Sequence, residues 1–256
     1  MTSSFAGKEK FPIFQTEVKP DSDVLIISFS GLFGFFDQMR PFDFFMITKM
    51  LAYNRIMLRD PAQLFYLRGI DETGFDGLLE RLRSEIKRIN AKTLLFVGAS
   101  SGGYAAILFG HLLGADYVHA FGARGHLKIG EILRQRDCKA MINRMHIVTL
   151  LNCSLPPRHR FHLDLKPLLY RNVNPDMKIN LHACAHCIDA KRARHLKDCP
   201  NTKIFLYPCN THRVAASLIK SGCLRDYFKK ENLDQSEDVY QKYYGDFAAS
   251  REKISA

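Results

Sequence analysis

Two serines follow an apolar run near the middle of the chain, in the sequence "LLFVGASSGGYAAILFG". Gly98 and Gly102 stand two residues before and two residues after Ser100, which gives the pattern Gly-x-Ser-x-Gly. Small residues there allow a sharp turn that projects a serine hydroxyl from the end of a strand, and the next backbone N–H can stabilise an oxyanion. The pattern therefore predicts Ser100 as a nucleophile and the Ser101 N–H as an oxyanion donor.

The same turn fits two phosphate-binding patterns poorly. A P-loop needs Lys and then Ser or Thr after its last glycine, whereas Tyr104 follows Gly103. A dinucleotide-binding turn needs Gly-x-Gly-x-x-Gly, and "GASSGG" lacks that spacing. Two alternatives stay open: a tight packing turn without chemistry, and a frame shifted by one residue in which Ser101 is the nucleophile.

A serine nucleophile needs a base that takes its proton and a group that orients the base. If the serine turn ends a strand of a parallel sheet, we expect the acid and then the histidine to follow later strands of that sheet. Of the ten histidines, His212 follows the last predicted strand and precedes a helix. Asp189 follows the penultimate strand, where it would also suit a helix N-cap, and Asp198 is the reserve candidate. We predict His212 as the base and Asp189 as its partner.

The second oxyanion donor is expected in the loop after the first long strand, within "FSGLFGFFD". Gly31 allows a close backbone approach, so the predicted donor is the N–H of Leu32 or Gly31. Phe33 and Phe35 are candidate residues of an acyl pocket, and burial under the following helix is the equal alternative. We expect no metal ligand in this site and no cofactor.

Strand-like and helix-like segments alternate along the chain. Short apolar runs typical of buried strands are "DVLIISFSG", "NRIMLRD", "KTLLFVGAS", "DYVHAFG", "DMKINLHACAH" and "TKIFLYPC". Amphipathic segments such as "FDGLLERLRSEIKRINA" predict helices between them, and a last helix in "RVAASLIKSG" is expected to end at Gly222. The alternation predicts an α/β fold with a mostly parallel central sheet and helices on both faces.

On these residues the chain resembles the α/β-hydrolase superfamily of serine hydrolases, from about Asp23 to Gly222. The resemblance implies that Ser100 is the nucleophile, that His212 acts as general base and then acid, and that Asp189 orients it. It also implies acyl transfer to the serine followed by hydrolysis or transfer, as in a carboxylesterase, a glycan O-deacylase or an acyl thioesterase. A likeness to short hydrolases encoded beside bacterial surface-polysaccharide genes suits a glycan ester.

The chain departs from the superfamily's pattern at its amino-terminal side. Its first loop reads "SGLFG" instead of the glycine-rich HGGG form, and only two strands are evident before the nucleophile strand, so we predict a trimmed sheet. We expect one domain over residues 1–256, with a cap or lid insertion at about 125–175 and a helical tail at about 224–256. A cap there would present a basic face through Arg134, Arg136, Arg144, Arg158 and Arg160.

Composition narrows the class of partner. The net charge of +11 favours anionic partners, yet the basic residues are scattered and form no recognisable nucleic-acid motif. We therefore expect a small-molecule or glycan ester, acidic or carried on an acyl carrier, with no nucleic acid; homo-oligomerisation stays open. The sequence shows neither a signal peptide nor a run of about 20 apolar residues, and its seven cysteines are odd in number, which favours a cytoplasmic protein with reduced thiols.

A cluster of cysteine and histidine residues supports a rival class, a zinc-binding module. Cys184-x-x-Cys187 has the spacing that opens many zinc sites. The later pair, His195-x3-Cys199, does not repeat that spacing, and His182 and His186 alternate with Cys184 as along a strand. A third alternative is a hydrolase fold without catalysis that serves as a scaffold or ligand-binding protein.

Overall fold

The computed structural model describes residues 12–31, 42–134, 145–171 and 173–255, the last five of them by backbone alone. In these residues one sheet has seven strands in the order β1-β3-β2-β4-β5-β6-β7. Strand β1 is antiparallel to β3, and every other neighbouring pair is parallel, which confirms the predicted fold class. The strands are β1 Phe14–Glu17, β2 Val24–Phe29, β3 Asn54–Leu58, β4 Thr93–Ala99, β5 Tyr117–Phe121, β6 Lys178–Cys184 and β7 Thr202–Tyr207.

Helices connect these strands and cover both faces of the sheet. Three short 3-10 turns lie at Pro157–Leu163, Arg194–Leu196 and Lys230–Asn232. The α-helices of the described residues are α1 Phe45–Lys49, α2 Gly74–Ile89, α3 Ser101–Leu113, α4 Ile129–Arg134, α5 Met145–Ser154, α6 Leu165–Leu169, α7 Ile188–Ala193, α8 Val214–Lys220, α9 Cys223–Phe228 and α10 Ser236–Ser255.

Two apolar layers flank the sheet because successive strand residues point to opposite faces. All six residues of β2 are buried: Leu25 and Ile27 join the layer under α2 and α3, while Ile26 joins the layer under α8, α9 and α10. Such burial on both faces is typical of a parallel sheet between helical layers. Across the described residues, no helix combines the length and apolar character needed to cross a bilayer.

The carboxyl-terminal helix α10 packs along the last strand of the sheet. The Tyr240 hydroxyl donates to the Leu206 carbonyl at 2.6 Å, and the ring centroids of Tyr240 and Phe205 lie 5.3 Å apart. Tyr244 also contacts the sheet, with its ring 4.9 Å from that of Tyr207. Tyr240 and Tyr244 of the predicted helical tail therefore cover the β7 side of the sheet.

The segment for which we predict a cap contains α4, α5, the Pro157–Leu163 turn and α6, with residues 135–144 and 172 outside the described residues. One contact ties it to α3, and a second joins two of its own residues. The Tyr104 hydroxyl of α3 contacts the His162 carbonyl, and the Leu127 N–H donates to the Leu163 carbonyl at 2.7 Å. Whether this segment closes over a bound ligand stays a prediction.

The described arginines of the predicted basic face each have a partner within the chain. Arg134 pairs with Glu131 at 2.7 Å, and Arg158 pairs with Asp76 on α2, also at 2.7 Å. Arg160 donates to the Leu155 carbonyl at 3.2 Å. Arg136 and Arg144 lie outside the described residues. The basic face expected from the sequence is thus partly neutralised by acidic neighbours.

Candidate active site

Ser100 is the single residue between the end of β4 and the start of α3. Its backbone angles are φ 55° and ψ −114°, a conformation that costs a residue with a side chain about 1–3 kcal/mol. A Cβ atom on Gly102 would lie 2.0 Å from the Phe29 carbonyl oxygen, and one on Gly98 would lie 2.1 Å from the Gly102 carbonyl oxygen. The two glycines of the sequence pattern therefore permit the strained turn.

The three residues predicted to act together are joined by hydrogen bonds. The Nε2 atom of His212 lies 2.8 Å from Ser100 Oγ, and its Nδ1 atom lies 2.8 Å from Asp189 Oδ2. A carboxylate only accepts, so Nδ1 carries the hydrogen and donates to Asp189, which leaves Nε2 to accept from the serine hydroxyl. The Asp189 side chain is 0% exposed and the His212 side chain is 42% exposed. The arrangement can move a proton from a half-exposed hydroxyl to a ring anchored in the interior.

Neighbouring parallel strands bring these residues together. Asp189 lies in the first turn of α7, just beyond β6, and His212 lies in the loop between β7 and α8. Gly122, directly after β5, has φ 59°, and a Cβ atom there would lie 3.2 Å from the His212 ring. All these positions follow the carboxyl ends of adjacent strands, where the polar side chains of such sheets converge.

The site includes a residue that our sequence analysis did not select. Arg192 lies three residues after Asp189 on α7, and its Nη1 atom is 3.1 Å from Asp189 Oδ1. The arginine side chain is 8% exposed, so the pair is buried. Its only sequence signal is the three-residue spacing, which places two side chains on the same side of a helix.

Ser101 and Gly31 are the predicted oxyanion-hole residues that lie within the described part of the chain. Ser101 is buried as the first residue of α3, and its hydroxyl has no hydrogen-bond partner among the described residues, which disfavours the shifted frame. A Cβ atom on Gly31 would lie 2.8 Å from the Ala99 carbonyl oxygen, so this loop reaches the end of β4. The Gly31 N–H, however, donates to Asp43 Oδ2 at 2.8 Å, which engages one of the two predicted donors.

The remaining predicted residues of this loop are Leu32, Phe33 and Phe35. They lie outside the described residues, so their roles as an oxyanion donor and as a pocket lining stay predictions.

The cysteine and histidine cluster is spread over different environments. No three His, Cys, Asp or Glu side chains of the described residues are placed to hold a metal ion. His182 lies in the buried layer beneath α9, with its ring 4.7 Å from that of Tyr227, whereas His195 lies 2.9 Å from Asp164 in the predicted cap segment. Cys184 and Cys187 are free thiols, and Cys199 is buried separately.

The mostly parallel sheet and the serine turn after its central strand define an α/β-hydrolase-like fold. Protein-family models and curated proteins gave no match to the chain. Among solved structures, the chain is similar to the capsule O-acetyltransferase of Neisseria meningitidis serogroup A, with a TM-score of 0.59 at 16% identity over 84% of this chain and 88% of that one.

Two further solved structures share the fold. An α/β-hydrolase enzyme, MGS-MChE2, from a sediment metagenome of the Mar Chica lagoon in Morocco matches with a TM-score of 0.53 at 15% identity, over 88% of this chain and 98% of that one. The Glycosylation Associate Protein (Gap123) complex from Streptococcus agalactiae gives a TM-score of 0.60 at 16% identity, over 87% of this chain but only 45% of that one. At such identities the likeness establishes the fold.

Proposed function

We propose that the protein is a serine hydrolase that cleaves an ester or thioester through an acyl-enzyme on Ser100. One observation carries the proposal: an unbroken series of hydrogen bonds, each 2.8 Å long, from Ser100 through His212 to the buried Asp189. A packing turn would need neither a histidine on the hydroxyl nor a carboxylate behind the histidine. Nucleophile, base and orienting acid within hydrogen-bond reach are the arrangement that activates a serine.

In the proposed reaction, Ser100 Oγ bonds to the acyl carbon while its proton passes to His212 Nε2. The Asp189 carboxylate stabilises the resulting imidazolium. We assign the Ser101 N–H to the tetrahedral oxyanion. As the intermediate collapses, the bond to the leaving oxygen or sulfur breaks and His212 returns the proton to that atom. Water then repeats these steps on the acyl-serine and releases the acid.

A second candidate is transfer of the same acyl group to a carbohydrate hydroxyl instead of water. The capsule O-acetyltransferase that shares this fold is named for acetyl transfer to oxygen, and one of its structures is a complex with CoA. Both reactions use the same acyl-serine and differ only in the acceptor of the second step. The net charge of +11 suits a phosphate-bearing donor or an acidic glycan.

The first test is turnover of p-nitrophenyl acetate by the purified chain. We expect Ser100→Ala and His212→Ala each to lower the rate by several orders of magnitude. Ser84→Ala, an exposed serine on α2, serves as the matched control and should keep the parent rate. Equal turnover by the parent and Ser100→Ala would refute the proposal.

Acetyl-CoA distinguishes the two acceptors. If thiol release proceeds at full rate without carbohydrate, water is the acceptor; if an added acidic polysaccharide accelerates it and becomes acetylated, the transferase assignment is correct. No acylation of folded protein by either reagent would favour a non-catalytic scaffold.

A further inference from the structure

We infer that Arg192 is a positioning residue of the site: it holds the Asp189 carboxylate for His212 and its charge opposes protonation of the histidine ring. The inference rests on the proposed function. It concerns a residue that touches neither the nucleophile nor, in the proposed mechanism, the substrate, and that acts through Asp189.

The two oxygens of the Asp189 carboxylate have separate partners. Oδ2 accepts from His212 at 2.8 Å, and Oδ1 accepts from Arg192 Nη1 at 3.1 Å. With one oxygen bound to each partner, the carboxylate cannot rotate without breaking a charge-assisted hydrogen bond. Arg192 therefore fixes the orientation of the carboxylate plane, and with it the position of the oxygen that accepts the hydrogen bond from His212 Nδ1.

Burial makes this pairing consequential. The Asp189 side chain is 0% exposed and that of Arg192 is 8% exposed. Removing one partner of a buried ion pair leaves an uncompensated charge, which is far more costly than breaking a pair on the surface. The His212 ring is 42% exposed, so water can reach the histidine. The Asp189 carboxylate is fully buried, so water cannot take the place of Arg192 there.

The titratable groups beside the Asp189 carboxylate include His212, Arg192 and the thiols of Cys187 and Cys209, and the Cys187 thiol is also hydrogen-bonded to Asp189. Burial raises the pKa of Cys187 to about 12, and it raises the pKa of Cys209 as well, so both thiols are neutral near pH 7. Arg192 is thus the permanent cation that shares the carboxylate with His212.

A shared carboxylate has a consequence for pH dependence. Arg192 neutralises part of the negative charge that would otherwise favour a protonated His212. With an uncharged residue in its place, the ring would hold its proton to higher pH and would act as a base over a narrower range. A purely structural arginine would affect the amount of folded protein without moving this range.

The test measures the rate at which a fluorophosphonate probe labels Ser100 from pH 5 to 9 in the parent, Arg192→Gln and Arg192→Lys. Arg194→Gln makes the same charge change at an exposed position two residues further along and is the matched control. We expect Arg192→Gln to move the midpoint of the acidic limb up by about half a pH unit or more. Arg192→Lys keeps the charge and should keep the parent midpoint with a lower plateau, and Arg194→Gln should match the parent in both.

An unchanged midpoint in folded Arg192→Gln would overturn the inference, as would an unchanged plateau in Arg192→Lys. If Arg192→Gln does not fold, Arg192→Lys still decides, because a shifted midpoint there contradicts the role of charge. The downfield proton resonance of His212 Nδ1–H gives a readout independent of catalysis: it should be present in the parent and Arg194→Gln and weakened in Arg192→Gln. Failure of the proposed function would show differently, as a parent that is not labelled at Ser100.

Discussion

At the scale of single residues, Ser100 has an unfavourable backbone conformation that its neighbours maintain. Its N–H donates to the Phe121 carbonyl at 2.8 Å, and its own carbonyl accepts from Tyr104 at 3.2 Å. These bonds hold the turn on both sides, while glycines 98 and 102 leave the space for it. Strain of this kind, held by the surrounding structure, is characteristic of functional sites.

Gly102→Ala tests the steric requirement of this turn. The added Cβ would lie 2.0 Å from the Phe29 carbonyl oxygen, and backbone cannot move aside as a flexible side chain can. We expect a loss of about 3 kcal/mol or more in the free energy of unfolding, measured by urea denaturation. Gly130→Ala, on α4 with nothing within 4 Å of the new atom, should change it by less than about 1 kcal/mol. Equal effects of the two substitutions would contradict the steric argument.

At the scale of elements, a pair of hydrogen bonds joins the end of β2 to the start of the α1 region. Asp43 Oδ2 accepts from the Gly31 N–H at 2.8 Å, and the Asp43 N–H donates to Ser30 Oγ at 3.0 Å. The Tyr66 hydroxyl donates to the Ser30 carbonyl at 2.9 Å from the other side. The described residues on either side of the loop in which we predict the second oxyanion donor are thereby joined directly to each other.

Asp43→Ala removes one of these two bonds. Asp43 is buried, so the Gly31 N–H would lose its acceptor where water does not easily replace it. We expect a loss of about 1–3 kcal/mol in the free energy of unfolding and slower ester turnover by the remaining folded protein. Asp43→Asn, which keeps an acceptor oxygen, should be milder on both counts. Parent-like stability and turnover in Asp43→Ala would show that the bond is dispensable.

The elements differ in how far the sequence could predict them. Strands β2 to β7 carry dense apolar runs, and their order along the chain was enough to predict the parallel sheet and the places of Ser100, Asp189 and His212. Strand β1, "FQTE", is only half-buried and carries polar residues, so it lacks the apolar run by which an inner strand is identified. Its antiparallel pairing with β3 depends on tertiary contacts.

The engaged Gly31 N–H and the Arg192 pair were missed for a similar reason. Both depend on side-chain partners that the sequence does not specify: Asp43 is 12 residues from Gly31, and Arg192 is one of several basic residues on and near α7. A helical spacing of three residues is compatible with an ion pair but occurs throughout the chain. Only packing selects the pair that is buried.

At the scale of the whole molecule, a buried polar chain crosses the interior between β5 and α9. His119 Nδ1 lies 3.0 Å from His182 Nε2, His182 Nδ1 lies 2.7 Å from the Tyr207 hydroxyl, and that hydroxyl lies 2.8 Å from the Tyr227 hydroxyl. Burial lowers the pKa of His119 to about 3, and burial together with His119 lowers the pKa of His182 well below its ordinary range. Both rings are therefore neutral in the folded protein near pH 7.

The two buried histidines of this hydrogen-bonded series predict that acid lowers the free energy of unfolding from about pH 6.5 downward. Unfolded histidines take up protons near pH 6.5 while the buried ones do not until far lower pH, so their contribution to stability is full above that value and is lost below it. Each buried histidine should add about 1.4 kcal/mol per pH unit to the slope of unfolding free energy between about pH 6 and pH 4.5. Burial also lowers the pKa of His162, to about 4, and this adds to the same slope.

His119→Phe keeps an aromatic ring in the stack but cannot titrate. We expect it to be less stable at pH 7, because Asn180 and His182 lose a partner, and to have a slope shallower by about 1.4 kcal/mol per pH unit in urea denaturation at several pH values. His146→Gln, at an exposed position on α5, should keep the parent slope. An unaltered slope in His119→Phe would contradict the assignment of acid sensitivity to this chain.

Covalent labelling shows whether Ser100 is an activated nucleophile. The purified chain would be treated with a fluorophosphonate probe at neutral pH, digested, and the modified peptide identified by mass spectrometry. We predict a single modification, at Ser100, which is absent in Ser100→Ala and forms much more slowly in His212→Ala. Folded Ser101→Ala should still be labelled at Ser100. Folded protein that is not labelled, or label on another serine that persists in Ser100→Ala, would contradict this assignment of the nucleophile.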